Sequence, residues 1–198
     1  MPRLKVTTRA ARQAHMLRAA VTCFAHQGNH GTTMEDIAAE AGIAKGATYV
    51  YFAGKEELFL ALYDAWDCTL QEELTAALAA LAPQERSSPR CRLRVALTTI
   101  GRHVRAAPAA CRVLIEARTL APFVPAIATR VRAAEAQAQA QLEELVRVGV
   151  AAGEWLLQTD AALHARLVRA ALHGLTAQWH SVPGSFDWET ATAALAAW

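Results

Sequence analysis

Apolar residues recur at helical spacing near the start of the chain. Leu17, Val21 and Phe24 occupy positions i, i+4 and i+7, which lie on one face of an α-helix. Gly28 follows this run, and glycine commonly ends helices because it adopts backbone conformations that other residues avoid. The pattern predicts a first helix over residues 9–27.

A short second helix is predicted to follow. Thr33 and Asp36 have the spacing of a capping box, in which each residue satisfies a free backbone group of the other. The apolar face of this helix is formed by Ile37, Ala38 and Ala41, and Gly42 ends it. A third short segment begins at Lys45. Two short helices joined by a glycine-containing turn, after a longer helix, are typical of a helix-turn-helix.

The third segment contains Thr-Tyr-Val-Tyr-Phe at residues 48–52, a composition that favours a β-strand. A single strand among helices would have no partner, so we expect this stretch to be helical. Tyr49 and Phe52 are expected to share the side that packs on the first helix. The other side is expected to carry the residues that face a partner: Lys45, Thr48 and Tyr51.

The rest of the chain has helical patterns interrupted by proline, glycine and aspartate. Helices are predicted near 55–82, 90–106, 109–120, 123–153, 160–181 and 187–198. The sequence therefore predicts an all-α protein of about nine helices. Residues 1–53 are predicted to form a three-helix, helix-turn-helix domain, and residues 54–198 a larger helical domain.

Charge is distributed unevenly along a chain whose net charge is only +2. Residues 1–55 hold seven Lys or Arg residues against three acidic ones, so this segment carries +4 and the remainder −2. A basic N-terminal end favours an anionic partner such as nucleic acid. The basic residues at its start form either a solvated terminus or an arm for the minor groove of DNA: Arg3, Lys5, Arg9 and Arg12.

Several other classes of protein are disfavoured. The N-terminus lacks the apolar region of a signal peptide, and no apolar run is long enough to span a membrane. We expect a cytoplasmic protein with no membrane partner. Cys23, His26 and His30 are spaced like zinc ligands, but a fourth ligand is not evident, and Cys23 lies beside Phe24 on a core face. We expect no metal, no cofactor and no enzymatic activity, because no catalytic arrangement has interpretable spacing.

Three stretches carry a specific resemblance: AAVTCFAHQG, TTMEDIAAEAGIAKGATYVYF and GKEELF. With this order and spacing, residues 9–59 resemble the N-terminal domain of TetR-family transcriptional regulators. The resemblance implies a homodimer that binds a palindromic double-stranded DNA operator, most often as a repressor. It also implies that a small-molecule effector, bound by the C-terminal domain, releases the DNA.

The resemblance assigns DNA-binding roles to Thr33, Lys45, Gly46, Ala47, Thr48, Tyr49, Tyr51 and Lys55. In that assignment Thr33, the two tyrosines and Lys55 contact phosphates, and Lys45, Ala47 and Thr48 are candidates for base contacts. In the alternative interpretation the tyrosines are core aromatics. The chain departs from the family pattern at Asn29, Ala44 and Thr48, where the family usually has an aromatic residue, Ser and a larger apolar residue.

Residues of the larger domain receive weaker assignments. An effector pocket is expected to be lined by Tyr63, Trp66, His103, Glu116, Arg118, Phe123 and Trp155. Two alternatives stay open: aromatic residues at helical spacing are also common in cores, and Glu116 and Arg118 could form a buried or interface ion pair. A dimer interface built from the last two helices is expected to use Leu163, Leu167, Ala171, Leu175, Leu195 and Trp198. The alternative function is a helical small-molecule carrier or interaction protein that has lost DNA binding.

Overall fold

The protein is all-α, as the sequence predicts, with ten helices among the residues that its structure, a computed structural model, describes: 9–156 and 159–197. The N-terminal helices are α1 (Arg9–Gly31), α2 (Met34–Glu40) and α3 (Lys45–Thr48). The larger region contains α4 (Lys55–Ala79), α5 (Pro83–Ser87), α6 (Pro89–Ala106), α7 (Pro108–Leu120), α8 (Pro125–Ala151), α9 (Ala161–Ser181) and α10 (Trp188–Ala197). The additional helix is α5, in a stretch that the sequence analysis treats as a break.

Prolines begin helices in this chain rather than only interrupting them. Pro83, Pro89, Pro108 and Pro125 each occupy the first position of a helix. The fixed φ angle of proline suits this position, and its missing N–H would have no partner inside the helix. The expected breaks at proline therefore lie in the right places, but two of them separate helices by only one residue.

The first helix contains a kink at Gly28, where the sequence predicts that the helix ends. Gly28 has a φ of 68°, in the left-handed region, and a helical turn continues after it to Gly31. Thr32 donates its hydroxyl hydrogen to the Gly28 carbonyl oxygen at 2.8 Å. This kink turns the end of α1 toward the larger region of the chain.

The predicted helix over residues 48–52 is wrong beyond Thr48. Tyr49 to Tyr51 form a turn, in which the backbone N–H groups of Tyr51 and Phe52 both donate to the Thr48 carbonyl oxygen. The next amide, of Ala53, donates to the carboxylate of Glu57 on α4. Because this N–H bonds to a side chain of α4, the helical hydrogen-bond pattern does not continue, and residues 49–52 form neither a helix nor a strand.

The hydrophobic core forms two clusters. The first joins α1, α2, the start of α4 and parts of α7 and α8, and Phe24 packs edge-on against Phe59 with ring centroids 5.4 Å apart. The second joins α6, α9 and α10 around Trp155 and Trp188. Since the first cluster spans position 53, the N-terminal helices pack directly on the helices of the larger region. The division at residue 53 stays a prediction.

Candidate DNA-binding surface and effector cavity

The start of α2 is organised by Thr33. Its backbone N–H and hydroxyl donate to one carboxylate oxygen of Asp36 at 2.8 and 2.7 Å, and the Asp36 N–H donates back to the hydroxyl oxygen at 3.2 Å. These hydrogen bonds lower the pKa of Asp36. The predicted capping box is confirmed, and the Thr33 hydroxyl is already engaged in it.

The start of α3 is exposed and basic. Lys45 lies at the surface, and its Nζ forms an ion pair with Glu35 of α2 at 2.8 Å, which raises the pKa of Lys45. Gly46 is exposed, with no atom within 4 Å of the position that a Cβ would take. Ala44 provides no side-chain cap, as its identity predicts. Backbone and lysine are therefore accessible to a large partner on this surface.

Thr48 cannot make the base contact that was expected of it. Its side chain is completely buried, and its hydroxyl donates to the Lys45 carbonyl oxygen at 2.6 Å. Phe52 is also buried, whereas Tyr49 is 49% exposed. The expected sides of the segment are thus partly exchanged: Thr48 packs inward with Phe52, and Tyr49 points outward. Ala47 is half-buried.

The two tyrosines differ in their surroundings. Tyr49 is exposed, next to Val50, which is 61% exposed. Tyr51 is half-buried against the first core cluster, and the Arg9 guanidinium lies 5.6 Å from its ring centroid. Arg9 also donates to the Val50 carbonyl oxygen at 3.2 Å. The structure therefore adds Arg9 to this surface, which only its basic charge near the start of the chain suggested.

Lys55 points toward the end of α1. Its Nζ donates a hydrogen bond to the backbone carbonyl oxygen of Asn29. The residue expected to contact phosphate thus also fastens α4 to the N-terminal helices.

Helix α7 fastens the same end of α1 from the other side. Glu116 accepts a hydrogen bond from the backbone N–H of Asn29 at 2.6 Å, and Arg112 donates to the Ala25 carbonyl oxygen at 2.7 Å. Together with the Lys55 bond, these contacts form what we term the α1 junction. Glu116 was expected in the effector pocket, and this expectation is wrong because its carboxylate is used at the junction.

A cavity of about 800 Å³ lies between α4, α6, α7, α8 and α9. This volume is typical of small-molecule sites. Four of the seven predicted pocket residues line it: Tyr63, Trp66, His103 and Arg118. Most of the remaining wall is apolar, formed by side chains such as Leu70, Leu74, Leu93, Leu97, Ile100 and Leu142.

Two further pocket predictions are wrong. Phe123 lies in the turn between α7 and α8 and is 81% exposed. Trp155 is buried in the second core cluster, where its ring occupies the space left by the absent side chain of Gly149. Neither residue lines the cavity, because the first follows the end of its helix and the second packs behind α8.

Polar groups occupy two parts of the cavity wall. At one, His103 is buried, its Nδ1 lies 3.1 Å from Glu73, and its ring packs edge-on against Trp66 with centroids 4.2 Å apart. At the other, Arg118 contacts Glu135 and His173, and Arg169 pairs with the same Glu135; the sequence suggested none of these three residues. They come from α8 and α9, so no local sequence pattern signals their association with Arg118.

The predicted interface residues divide into three groups. Leu163 and Leu167 are exposed on α9, at 42% and 46%. Ala171 and Leu175 are half-buried against the second core cluster, and Leu195 is buried within it. Trp198 lies outside the described residues. Since α10 packs on α6 and α9 packs on α8, the expectation that α10 contributes Leu195 to an interface is wrong.

The N-terminal helices are similar to those of known proteins. Residues 16–62 match the family model "Bacterial regulatory proteins, tetR family". The N-terminal part of the chain is therefore similar to TetR-family regulators. The match covers the α1 to α4 region that carries the exposed basic surface, so the resemblance noted in the sequence is confirmed.

Individual relatives show the same similarity. The transcriptional repressor AcnR of Corynebacterium diphtheriae is 37% identical over 62 residues, which are 31% of this chain and 33% of that repressor. A TetR-like transcriptional regulator from Rhodococcus sp. RHA1 has a TM-score of 0.78 at 25% identity, covering 96% of this chain and 94% of its own. The alignments with the curated relatives span less than half of those proteins' lengths.

A further structural neighbour is known with a bound molecule. FadR from Bacillus subtilis, in complex with stearoyl-CoA, has a TM-score of 0.76 at 16% identity, covering 92% of this chain and 95% of its own. At this identity the likeness concerns the fold.

Two other features concern the described residues, 9–156 and 159–197. None of the helices in this part of the chain combines the length and the apolar character needed to cross a membrane. Cys23 is buried beside Phe24, as its position on a core face predicts, and burial raises the pKa of its thiol.

Proposed function

We propose that this protein is a ligand-responsive transcriptional regulator that binds a palindromic operator as a homodimer and leaves it when a small molecule occupies the cavity. Repression is the mode that relatives such as AcnR support. The observation that carries the proposal is the position of α7: it lines the cavity through Arg118 and holds α1 through Glu116.

The exposed face of the helix-turn-helix supplies groups suited to DNA. Lys45 and Tyr49 offer a cation and a hydroxyl for phosphates, and Gly46 allows the backbone to approach closely. Thr33 begins α2, where backbone N–H groups attract anions. Ala47 remains the candidate for contact with a thymine methyl group. Thr48 acts from within, by fixing the end of α3.

A dimer is needed because one short α3 provides few contacts, whereas two-fold symmetry places two such helices on successive turns of the same DNA face. We propose that α9 with its neighbour α8 provides the interface. Leu163, Leu167, Ala170 and Gly174 fall at i, i+4, i+7 and i+11, a spacing that forms one stripe along α9. The two leucines are exposed in the single chain, and a second copy would cover them.

Release of DNA follows if the effector prefers a different arrangement of α7 and α4. Both helices line the cavity and both bind α1 at the junction, α4 through Lys55 and α7 through Arg112 and Glu116. A ligand shifts the population only to the extent that its affinity differs between the two arrangements. Movement of either helix would displace α1 and thereby change the spacing of the two α3 helices.

The first test is selection of fragmented genomic DNA by the purified protein, followed by a salt titration on the enriched sequence. A palindromic site with steep salt dependence is expected. Lys45→Ala is expected to reduce the salt slope by about one, because one phosphate contact releases roughly one counterion. Arg102→Ala, at an exposed site on α6, is the matched control and should leave the slope unchanged. Equal slopes for both variants would contradict the role of Lys45.

The carrier alternative has one specific observation in its favour. Helix α3 has only four residues and lacks a side-chain cap at Ala44, whereas the cavity has a volume of about 800 Å³. Absence of any enriched DNA, from a folded dimer that still binds small molecules, would favour the carrier over the regulator.

A further inference from the structure

Two guanidinium groups surround one carboxylate in the cavity wall. Arg118 donates from Nε and Nη2 to Oε1 of Glu135, each at 3.1 Å. Arg169 donates to the other carboxylate oxygen of Glu135 and to its backbone carbonyl oxygen. All three residues line the cavity. The set has two positive charges and one negative charge, so it carries an excess of +1.

A histidine belongs to this set but does not change its charge. His173 lines the cavity, and its Nε2 lies 3.1 Å from Nη2 of Arg118, so the ring accepts a hydrogen bond. Burial, with Arg118 nearby, lowers the pKa of His173 to about 4. Burial alone would raise the pKa of Glu135, but Arg118, His173 and Arg169 together hold it below its ordinary value. At neutral pH the four residues therefore carry +1.

Three other charged side chains line the cavity: Arg92 adds positive charge, and Asp67 and Glu144 have arginine partners of their own. Asp67 pairs with Arg130 at 3.4 Å, and Arg130 also pairs with Asp64, which is 53% exposed. Glu144 pairs with Arg147 outside the cavity. Because Asp64 is well solvated, water screens much of the negative charge of the Arg130 group. Arg169, in contrast, has only 14% of its side chain exposed.

This arrangement distinguishes between classes of ligand. Positive charge beside apolar walls is unfavourable unless an anion approaches it. A guanidinium has five N–H donors. The bonds of Arg118 to Glu135 and His173 use donors on Nε and Nη2. The N–H groups of Nη1 therefore remain to donate to the carboxylate of a ligand. A cation would be repelled, and a neutral ligand would leave the excess charge uncompensated.

We propose that the cavity selects an amphiphile with one carboxylate, held by Arg118 and Arg169, and an uncharged hydrocarbon part lying among the leucines. This inference rests on the proposed function, since it names the chemical class of the effector. The leucine-lined wall of α4 and α6 receives the hydrocarbon part.

The test is calorimetric titration of the full chain with probes of one chain length below their micelle concentrations: dodecanoate, dodecanol and dodecyltrimethylammonium. Dodecanoate is expected to bind at least about tenfold more tightly than dodecanol, the factor that one modest charge-assisted contact provides. The cationic probe is expected to bind most weakly. Equal affinity for the acid and the alcohol would overturn the proposal.

Two variants with opposite charge changes keep the result interpretable. Arg118→Gln removes the excess charge and is expected to abolish the preference for dodecanoate. Glu135→Gln increases the excess and is expected to strengthen dodecanoate binding. Arg132→Gln, at an exposed position on the same helix as Glu135 and outside the cavity lining, is the control and should keep the wild-type preference. Melting curves check that each variant folds. A preference that survives Arg118→Gln in a folded protein would overturn the assignment.

A fourth probe, dodecanoyl-CoA, distinguishes a free acid from its thioester. In the thioester the carboxylate is lost and the negative charges lie on the nucleotide. Tighter binding of the thioester than of dodecanoate would overturn the carboxylate assignment. Operator release is measured separately. Selective binding of dodecanoate without release would support this inference and contradict the proposed induction. Release by dodecanol alone would support the regulator and overturn this inference.

Discussion

Glu116 is the residue at which the α1 junction can be tested most directly. Its carboxylate accepts the Asn29 N–H at 2.6 Å, and the two residues are 87 positions apart in sequence. A hydrogen bond to a charged group contributes about 1.5–3 kcal/mol, and a neutral one about 1 kcal/mol. Because Glu116 is only half-buried, we expect Glu116→Ala to cost about 1.5 kcal/mol and Glu116→Gln about half as much.

Denaturant unfolding measures these costs, and operator binding with and without a cavity ligand measures coupling. Glu116→Ala is expected to lower stability and also to reduce the ligand-induced change in operator affinity, because α7 would lose one of its bonds to α1. Glu143→Ala is the control, since Glu143 forms a surface pair with Arg147 within α8. If Glu116→Ala costs no more than Glu143→Ala and leaves coupling unchanged, the junction does not transmit the signal.

Three further predictions concern packing, pH and assembly. Gly149→Ala is expected to lower the free energy of unfolding by about 1–3 kcal/mol, because a Cβ there would lie 2.1 Å from the Trp155 ring. Gly101→Ala should cost less, because its Cβ would lie 3.0 Å from the Trp188 ring. The reverse order in thermal melts would contradict the packing described. Folding lowers the pKa values of His173, His164 and His180, so it favours their neutral forms. The stability from these groups should be complete above about pH 6.5 and fall as the pH falls toward 4. His173→Gln should reduce this fall in melts between pH 7 and pH 4.5, and an unchanged pH profile would show that His173 does not contribute to it. Leu163→Glu with Leu167→Glu is expected to give a monomer by light scattering, whereas Phe123→Ser, at another exposed apolar site, should not; a dimer in both would exclude the α9 stripe.

Much of the helical organisation was predictable because its signals are local. The apolar periodicity of α1, the Thr33 capping box and the prolines at helix starts act over a few residues, so sequence reasoning located them within a turn or less. The end of α3 escaped prediction since it depends on whether Ala53 bonds within the segment or to Glu57. Propensity does not decide such a competition.

The sites were harder to predict because their partners are distant in sequence. Tyr63, Trp66 and His103 were found from aromatic character at helical spacing, which indicates inward orientation. The charged set required α7, α8 and α9 to meet, and sequence spacing carries no information on that meeting. Glu116 was assigned to the wrong site because its partner is a backbone N–H, which every residue except proline possesses.

The α1 junction has a consequence for how such proteins diversify. On the α1 side it uses only main-chain atoms: the Ala25 carbonyl oxygen and the N–H and carbonyl oxygen of Asn29. The side chains at these two positions are thus free to vary without disturbing the attachment. In the proposed regulator, operator preference and effector preference can consequently evolve independently, because exchanging the N-terminal helices would retain the attachment to α4 and α7.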